Sequence, residues 1–308
     1  MIEIFLQTLP FFALIAVGYG AAQTGFFPAE ATAYLTKFVF YFALSAMLFR
    51  FSANLSLSDV FDLPFVLAYL WGTLFVYLLA TGVALLRKRG IEEAAVEAQC
   101  AVVGNVGFLG IPMLVLLLGE PAIGPVMLVL AVDLIVFGSL IVILITGSRD
   151  GRMSVGILKT VGVGLLKNPM IVSISLGLIF STLPFGLPEP ADQFLSILGA
   201  AATPGALFVI GASLATKSAE RVAVAGWLSF AKLVLHPAAV AFAALVMLPV
   251  DPYAAGVMIS AAALPVAGNV FILAQHYGVA PTRVSASILI STAASVFTLS
   301  AIIAAVTR

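Results

Sequence analysis

The chain has 308 residues, 62% of them hydrophobic and 9% charged, and a mean hydropathy of +1.19. An ordinary soluble domain carries about 25% charged residues, so this composition is that of an integral membrane protein. At about 20 residues per crossing, the length accommodates about ten spans and leaves little sequence for extramembrane domains. The 14 basic and 14 acidic residues cancel, which leaves no electrostatic footprint for nucleic acid. Cys100 is the one cysteine, which excludes an intrachain disulfide and a cysteine metal cluster.

Apolar runs bounded by Gly, Pro or charge clusters predict spans at 4–22, 34–50, 63–86, 95–118, 122–146, 168–184, 194–215, 222–248, 254–276 and 284–306, numbered 1 to 10 below. Glu3 precedes the first run and no basic residue does, so that run reads as a retained helix rather than a cleaved signal peptide. The longest polar connector, Gly147 to Lys167, separates two sets of five spans. Residues 1–147 form a first five-helix repeat, 148–167 a connector and 168–308 a second repeat.

Basic residues set the orientation. Alternate connectors carry Arg87, Lys88 and Arg89, then Arg149, Arg152, Lys159 and Lys167, then Lys217 and Arg221, then Arg283. The opposite connectors carry Asp59, Asp62, Glu120, Glu189, Asp192 and Asp251, with Arg50 as their one base. Both termini are therefore expected outside. Five is an odd number, so the second repeat must run inverted to the first.

Internal similarity follows the same order. Leu9-Pro10 matches Asn168-Pro169, and Leu44-Ser45-Ala46-Met47-Leu48-Phe49 matches Thr203-Pro204-Gly205-Ala206-Leu207-Phe208 at the same offset. Spans 4 and 9 share Gly-Asn-Val, at Gly104-Asn105-Val106 and Gly268-Asn269-Val270. Each triplet has proline nearby, Pro112 in one case and Pro265 in the other, inside a helix-length apolar run. Glycine costs a helix about 1 kcal/mol and proline about 3, and freed backbone is tolerated in lipid only where protein or a wet cavity surrounds it. Paired interruptions in two halves point to a transporter binding site near the bilayer midplane. The expected fold is an all-α integral membrane protein: ten transmembrane helices in an inverted five-helix repeat, with helices 4 and 9 broken and crossing.

Such a crossing offers half-helix N-termini, with unpaired N–H groups and partial positive charge, to a carboxylate. Asn105 and Asn269 add amides that either contact solute or satisfy the freed backbone. Gly104, Gly268, Pro112 and Pro265 shape the breaks, and Gly107 and Gly110 read equally well as packing positions. Ionisable groups within a membrane are functional suspects. Asp133, near the centre of span 5, is a candidate for coupling to H⁺ or Na⁺ or for a structural acid. Lys232 and His236, four apart on one face of span 8, join it as coupling candidates, though His236 before Pro237 also reads as a packed histidine. Glu97 and Gln99 read as interfacial. A phosphate loop, a His-Glu-x-x-His pair and a metal cluster are all missing from the sequence; no cofactor, metal or enzymatic activity is expected.

The run Gly104-Asn105-Val106-Gly107-Phe108-Leu109-Gly110-Ile111-Pro112, with Tyr41 to Phe49 in span 2, resembles the auxin efflux carrier family in its bacterial, PIN-like form. The resemblance covers essentially the whole chain. It departs at Ser45, where the family has proline, which implies a straighter second helix. The resemblance implies a fold shared with sodium/bile-acid symporters and sodium/proton antiporters. A transport domain of spans 3–5 and 8–10 would move against a support domain of spans 1, 2, 6 and 7 that also forms a homodimer. Ser45 and Pro204, at equivalent places in spans 2 and 7, would join the solute-binding residues. The implied activity is secondary transport of a small organic anion, auxin in plants and dicarboxylates such as malonate in bacteria, by elevator-type alternating access. The alternatives are a sodium- or proton-coupled symporter of the bile-acid type and a passive anion channel.

The orientation is directly testable. A single cysteine at position 88, on a Cys100-free background, should resist an impermeant thiol reagent applied to sealed cells, and labelling from outside would refute the inversion.

Overall fold

A computed structural model describes residues 2–55, 62–150, 155–215 and 222–307. Asp59, Arg152, Lys217 and Arg221, used above for orientation, lie outside the described residues. In chain order the helices begin with α1 (Phe5–Gln23), α2 (Ala29–Ala53), α3 (Leu63–Leu86), α4 (Ile91–Val102), α5 (Val106–Leu118) and α6 (Glu120–Arg149). They continue with α7 (Val155–Lys167), α8 (Pro169–Ser181), α9 (Glu189–Leu214), α10 (Val222–Met247), α11 (Pro252–Ala262), α12 (Gly268–Tyr277) and α13 (Pro281–Val306). Seven of these, α1, α2, α3, α6, α9, α10 and α13, are long and apolar enough to cross a membrane. They coincide with predicted spans 1, 2, 3, 5, 7, 8 and 10. Spans 4 and 9 appear as the pairs α4/α5 and α11/α12, and span 6 as α8.

Local chemistry explains several ends. Asp62 caps α3 by accepting from the Phe65 N–H at 3.4 Å, with Pro64 in the first turn, and Asp251 caps α11 through the Ala254 N–H at 3.0 Å, with Pro252 at its first position. Gly278, at φ +67°, ends α12 in the left-handed conformation that glycine adopts without strain.

The connector expected at 148–167 is helical over Val155–Lys167. Helix α6 runs on to Arg149, and α7 is helical where a polar linker was expected, meeting α8 at a bend of 72°. Proline at 169 disfavours helical geometry in the residue before it. Asn168 is accordingly extended and caps α8, its side chain accepting from the Met170 N–H at 3.0 Å. Span 2 is continuous rather than broken, but it is not a plain α-helix: Val39–Ala43 forms a π turn, and the Ser45 hydroxyl donates to the Phe40 carbonyl at 3.1 Å.

Small residues let helices touch backbone to backbone, the usual way to bind helices in lipid. A Cβ on Gly18 of α1 would lie 2.0 Å from the Phe208 carbonyl oxygen of α9, and one on Gly211 of α9 would lie 1.8 Å from that of Ile15. Helix α8 meets α2 the same way, since a Cβ on Gly177 would lie 2.7 Å from the Phe49 carbonyl oxygen. Arg50 of α2 and Asp192 of α9 add a two-pronged ion pair at 2.7 and 2.9 Å. Helix α3 packs against α4 and α10, and α10 against α13.

Glu97, read from the sequence as interfacial, is enclosed by protein. It is fully buried in α4 between Arg87, which follows α3, and Arg283 of α13, which is 4% exposed. Arg283 also reaches Glu93 at 3.0 Å, so two arginines compensate a carboxylate that would otherwise be an unpaired buried charge. Gln99 is buried as well.

The α1–α9 contact generates a clean comparison. Gly211→Ala or Gly18→Ala forces two backbones apart and should destabilise the purified protein by about 1 to 3 kcal/mol. Gly20→Ala, whose Cβ would meet nothing within 4 Å, should leave the thermal midpoint essentially unchanged.

Candidate functional site

The two interrupted helices meet at their breaks. Asn105 donates its backbone N–H to the Pro265 carbonyl at 2.9 Å, and Ala267 donates to the Val103 carbonyl at 3.1 Å. Together they make a short antiparallel bridge centred on Gly104 and Val266. The chain turns out of α4 through a tight turn at Asn105 (φ −76°, ψ 55°), closed by the Val106 N–H on the Gly104 carbonyl at 2.8 Å, the geometry of an inverse γ-turn. In the other strand Pro265 has no N–H to give and disfavours helix at Leu264. Each segment thereby supplies the partners that the other's broken backbone lacks.

The bridge leaves the N–H groups of its two central residues pointing outward. That of Val266 donates to the Ser291 hydroxyl of α13 at 3.1 Å. That of Gly104 faces the Asp133 carboxylate of α6 without closing a regular hydrogen bond, since Asp133 Oδ2 is buried and unpartnered. The other oxygen, Oδ1, accepts from the Tyr69 hydroxyl of α3 at 2.8 Å. Across Gly104 lies Lys232: a Cβ on this glycine would sit 3.3 Å from the ammonium nitrogen. Gly104 is therefore a close-approach position between a buried acid and a buried base. Lys232, with no exposed surface, donates to the Ala262 carbonyl at the C-terminal end of α11. It forms no direct ion pair with Asp133, although the two charges act on each other. His236 Nδ1 lies 3.2 Å from both the Ala262 oxygen and Lys232 Nζ, and its Nε2 lies 3.0 Å from the Thr73 hydroxyl. Asp133 opens a π turn of α6 and Lys232 sits in a π turn of α10, local unwinding of the kind that recurs at functional sites.

The asparagines behave differently from these groups. The Asn105 side chain, 7% exposed, makes no hydrogen bond among the described residues, and Asn269 Oδ1 is buried without a partner. Neither amide stitches the break, because the backbone of the opposite segment already does. Helices α5 and α12 both start at the crossing, and neither start has a side-chain cap.

The remaining candidates fall around this centre. Gly268, at the first turn of α12, is exposed, and a Cβ there would meet nothing within 4 Å. Gly110 and Gly107 are packing positions: a Cβ would lie 2.5 Å from Leu264 Cδ1 and 2.8 Å from Met170 Cε respectively. Pro112 stands beyond the break, after the π turn Val106–Gly110 that frees its ring from the preceding turn. Pro204 is exposed early in the second part of α9, and Ser45 is half-buried with its hydroxyl on its own helix. Spans 2 and 7 reach the crossing by other residues: α9 packs on the first turn of α5, and Phe40 stacks on Phe108 at 6.2 Å.

Tyr69, Thr73 and Ser291 escaped the sequence reading. Tyr69 and Thr73 are four apart on one helix face, but neutral hydroxyls are common in membrane helices, and only proximity to Asp133 and His236 distinguishes these two. Removing the Tyr69 hydroxyl in Tyr69→Phe should cost about 1 to 3 kcal/mol, since it strips Asp133 of its one hydrogen bond in a buried site. Tyr77→Phe, in the same helix, removes a buried hydroxyl that has no partner among the described residues, and the purified protein should melt close to the wild type.

A family model described as membrane transport protein matches residues 3–303. A protein from Rhizobium meliloti (strain 1021) named "Putative malonate transporter" is 32% identical over 309 residues, covering 98% of this chain and 96% of that protein. With its apolar helices, interrupted pair and near-complete match, the chain belongs to the membrane transport protein family, the auxin efflux carriers, and is a multi-span membrane transporter rather than an enzyme.

Proposed function

We propose that the protein is a secondary transporter for a small organic anion, a dicarboxylate of the malonate class, with the solute held at the crossing of α4/α5 with α11/α12. The observation that carries this reading is the meeting of two helix starts without side-chain caps, flanked by Asn105 and Asn269, whose side chains make no hydrogen bond among the described residues. A carboxylate would accept from the backbone N–H groups at the helix starts and from the asparagine amide N–H groups, whereas Asn269 Oδ1, buried without a partner among the described residues, is an acceptor that a carboxylate does not satisfy. The malonate named for the Rhizobium relative is a ligand of that chemistry.

In this reading the interrupted pairs complete ten spans in two inverted repeats, with both termini outside. The two-unit division is supported by where the ion pairs fall among the described residues. Arg50–Asp192 lies within spans 1, 2, 6 and 7, and the Glu92, Glu93 and Glu97 pairs lie within spans 3–5 and 8–10. A unit built of the second set would slide against the first, exposing the crossing to each side in turn. The outward aromatic faces of α2 and α9, with Phe42 and Phe194 exposed, would meet lipid or a second copy in a homodimer. Asp133, with one carboxylate oxygen unpartnered, is the candidate for proton coupling.

Purified protein should be stabilised by malonate in a thermal-shift series of mono- and dicarboxylates, because a ligand that binds the folded state raises its apparent stability by mass action. Asn105→Ala and Asn269→Ala remove no hydrogen bond within the protein. Each should melt within about 1 kcal/mol of wild type while weakening malonate binding about tenfold or more, equivalent to about 1.4 kcal/mol. Retained affinity in both variants would remove the crossing from solute recognition. Saturable, trans-stimulated flux in vesicles would separate this carrier from an anion channel.

A further inference from the structure

The end of α11 presents a problem that its own backbone does not solve. The last carbonyls of a helix lack intrahelical partners, and the C-terminal end of a helix carries partial negative charge. Three neighbours are covered: the Ile259 and Ser260 carbonyls accept from the Ala263 N–H, and the Ala261 carbonyl accepts from the Leu264 N–H at 3.2 Å. The Ala262 carbonyl accepts no backbone N–H and instead receives the Lys232 ammonium, with His236 Nδ1 at 3.2 Å. This is the position at which transporters with interrupted helices place a coupling cation, on unwound carbonyls and half-helix C-termini. A carboxylate, Asp133, faces it from the far side of Gly104.

We propose that Lys232 is a tethered cation: its ammonium, seated on the Ala262 carbonyl beside Gly104 and facing Asp133, fills the place of a coupling sodium ion and makes the transporter independent of alkali cations. This goes beyond the solute site and rests on the same crossing. Three observations support it. Lys232 has no exposed surface, so its ammonium does not reach out to the membrane surface. Gly104 eases the approach, since a Cβ there would lie in tight contact, 3.3 Å from both Nζ and the Ala261 carbonyl oxygen. The enclosed acid and base carry no net charge together, wherever the proton between them sits, so a further cation would introduce an uncompensated charge into a site without water-facing surface.

The test uses purified full-length protein with no carboxylate present, so its outcome is independent of the malonate experiment. Thermal midpoints are recorded in sodium, potassium, methylammonium and N-methylglucamine chlorides at equal ionic strength, the last cation being too bulky for the site. Wild type should melt at the same temperature in all four. Lys232→Ala should melt lower in N-methylglucamine, and sodium or methylammonium should restore its midpoint in a concentration-dependent way. Lys232→Met, which keeps the length and loses the charge, undergoes the same series, so that an unstable alanine variant does not end the test. Stabilisation of wild type by sodium would overturn the proposal. So would the failure of every small cation to raise the midpoint of either variant, or a Lys232→Met protein as stable as wild type in all four salts.

Discussion

Two backbone hydrogen bonds, Asn105 to Pro265 and Ala267 to Val103, hold the functional region together. Breaking a helix inside a bilayer exposes amide groups that have no water to turn to, and each unsatisfied group costs several kcal/mol. Breaking two helices at the same level lets each supply the other's missing partners. Once the breaks are joined, the central residues of the bridge direct their N–H groups outward, to Ser291 on one side and toward Asp133 on the other. Two helix starts and two helix ends then converge on one small volume, with opposite partial charges arranged by the chain direction alone.

The polar side chains divide accordingly. Lys232 and His236 sit on the carbonyl end of α11, where positive charge is favoured. Asn105 and Asn269, beside the helix starts, make no side-chain hydrogen bond among the described residues. A group kept for protein structure normally finds a protein partner. Lys232 and His236 are thus held by the protein itself, whereas the two asparagine side chains are not. Glu97 with Arg87 and Arg283 forms a second compensated cluster, joining the end of α3, α4 and the start of α13 into one block.

Helices of the two proposed units contact each other mainly through apolar surface, with α1 on α13 and α9 on the first turn of α5. The Thr8 and Ser300 hydroxyls share a hydrogen bond of 2.9 Å across the first of these contacts. Apolar contact is non-directional, so surfaces of this kind permit sliding in a way that interlocked ion pairs would not. The ion pairs instead stiffen each unit internally.

By itself the sequence determined the features that depend on local composition. Apolar run length specified the seven continuous spans, because burying a backbone in hydrocarbon demands helix of a set length. Glycine and proline marked the two breaks, because these residues fail in helices wherever they occur. The family was legible in the nine residues from Gly104 to Pro112. What tertiary structure decided was every pairing between distant positions. That Glu97 is enclosed and paired with Arg283, far along the sequence, was not visible from its place in the chain. Residues around Lys159 looked like a linker and form α7, whose bend into α8 is set at Asn168. Asp133, Lys232 and His236 were legible as suspicious charges in apolar helices. Their partners Tyr69, Thr73 and the Ala262 carbonyl were not, since a hydroxyl or a backbone oxygen gains its role only from what the fold brings within hydrogen-bond distance.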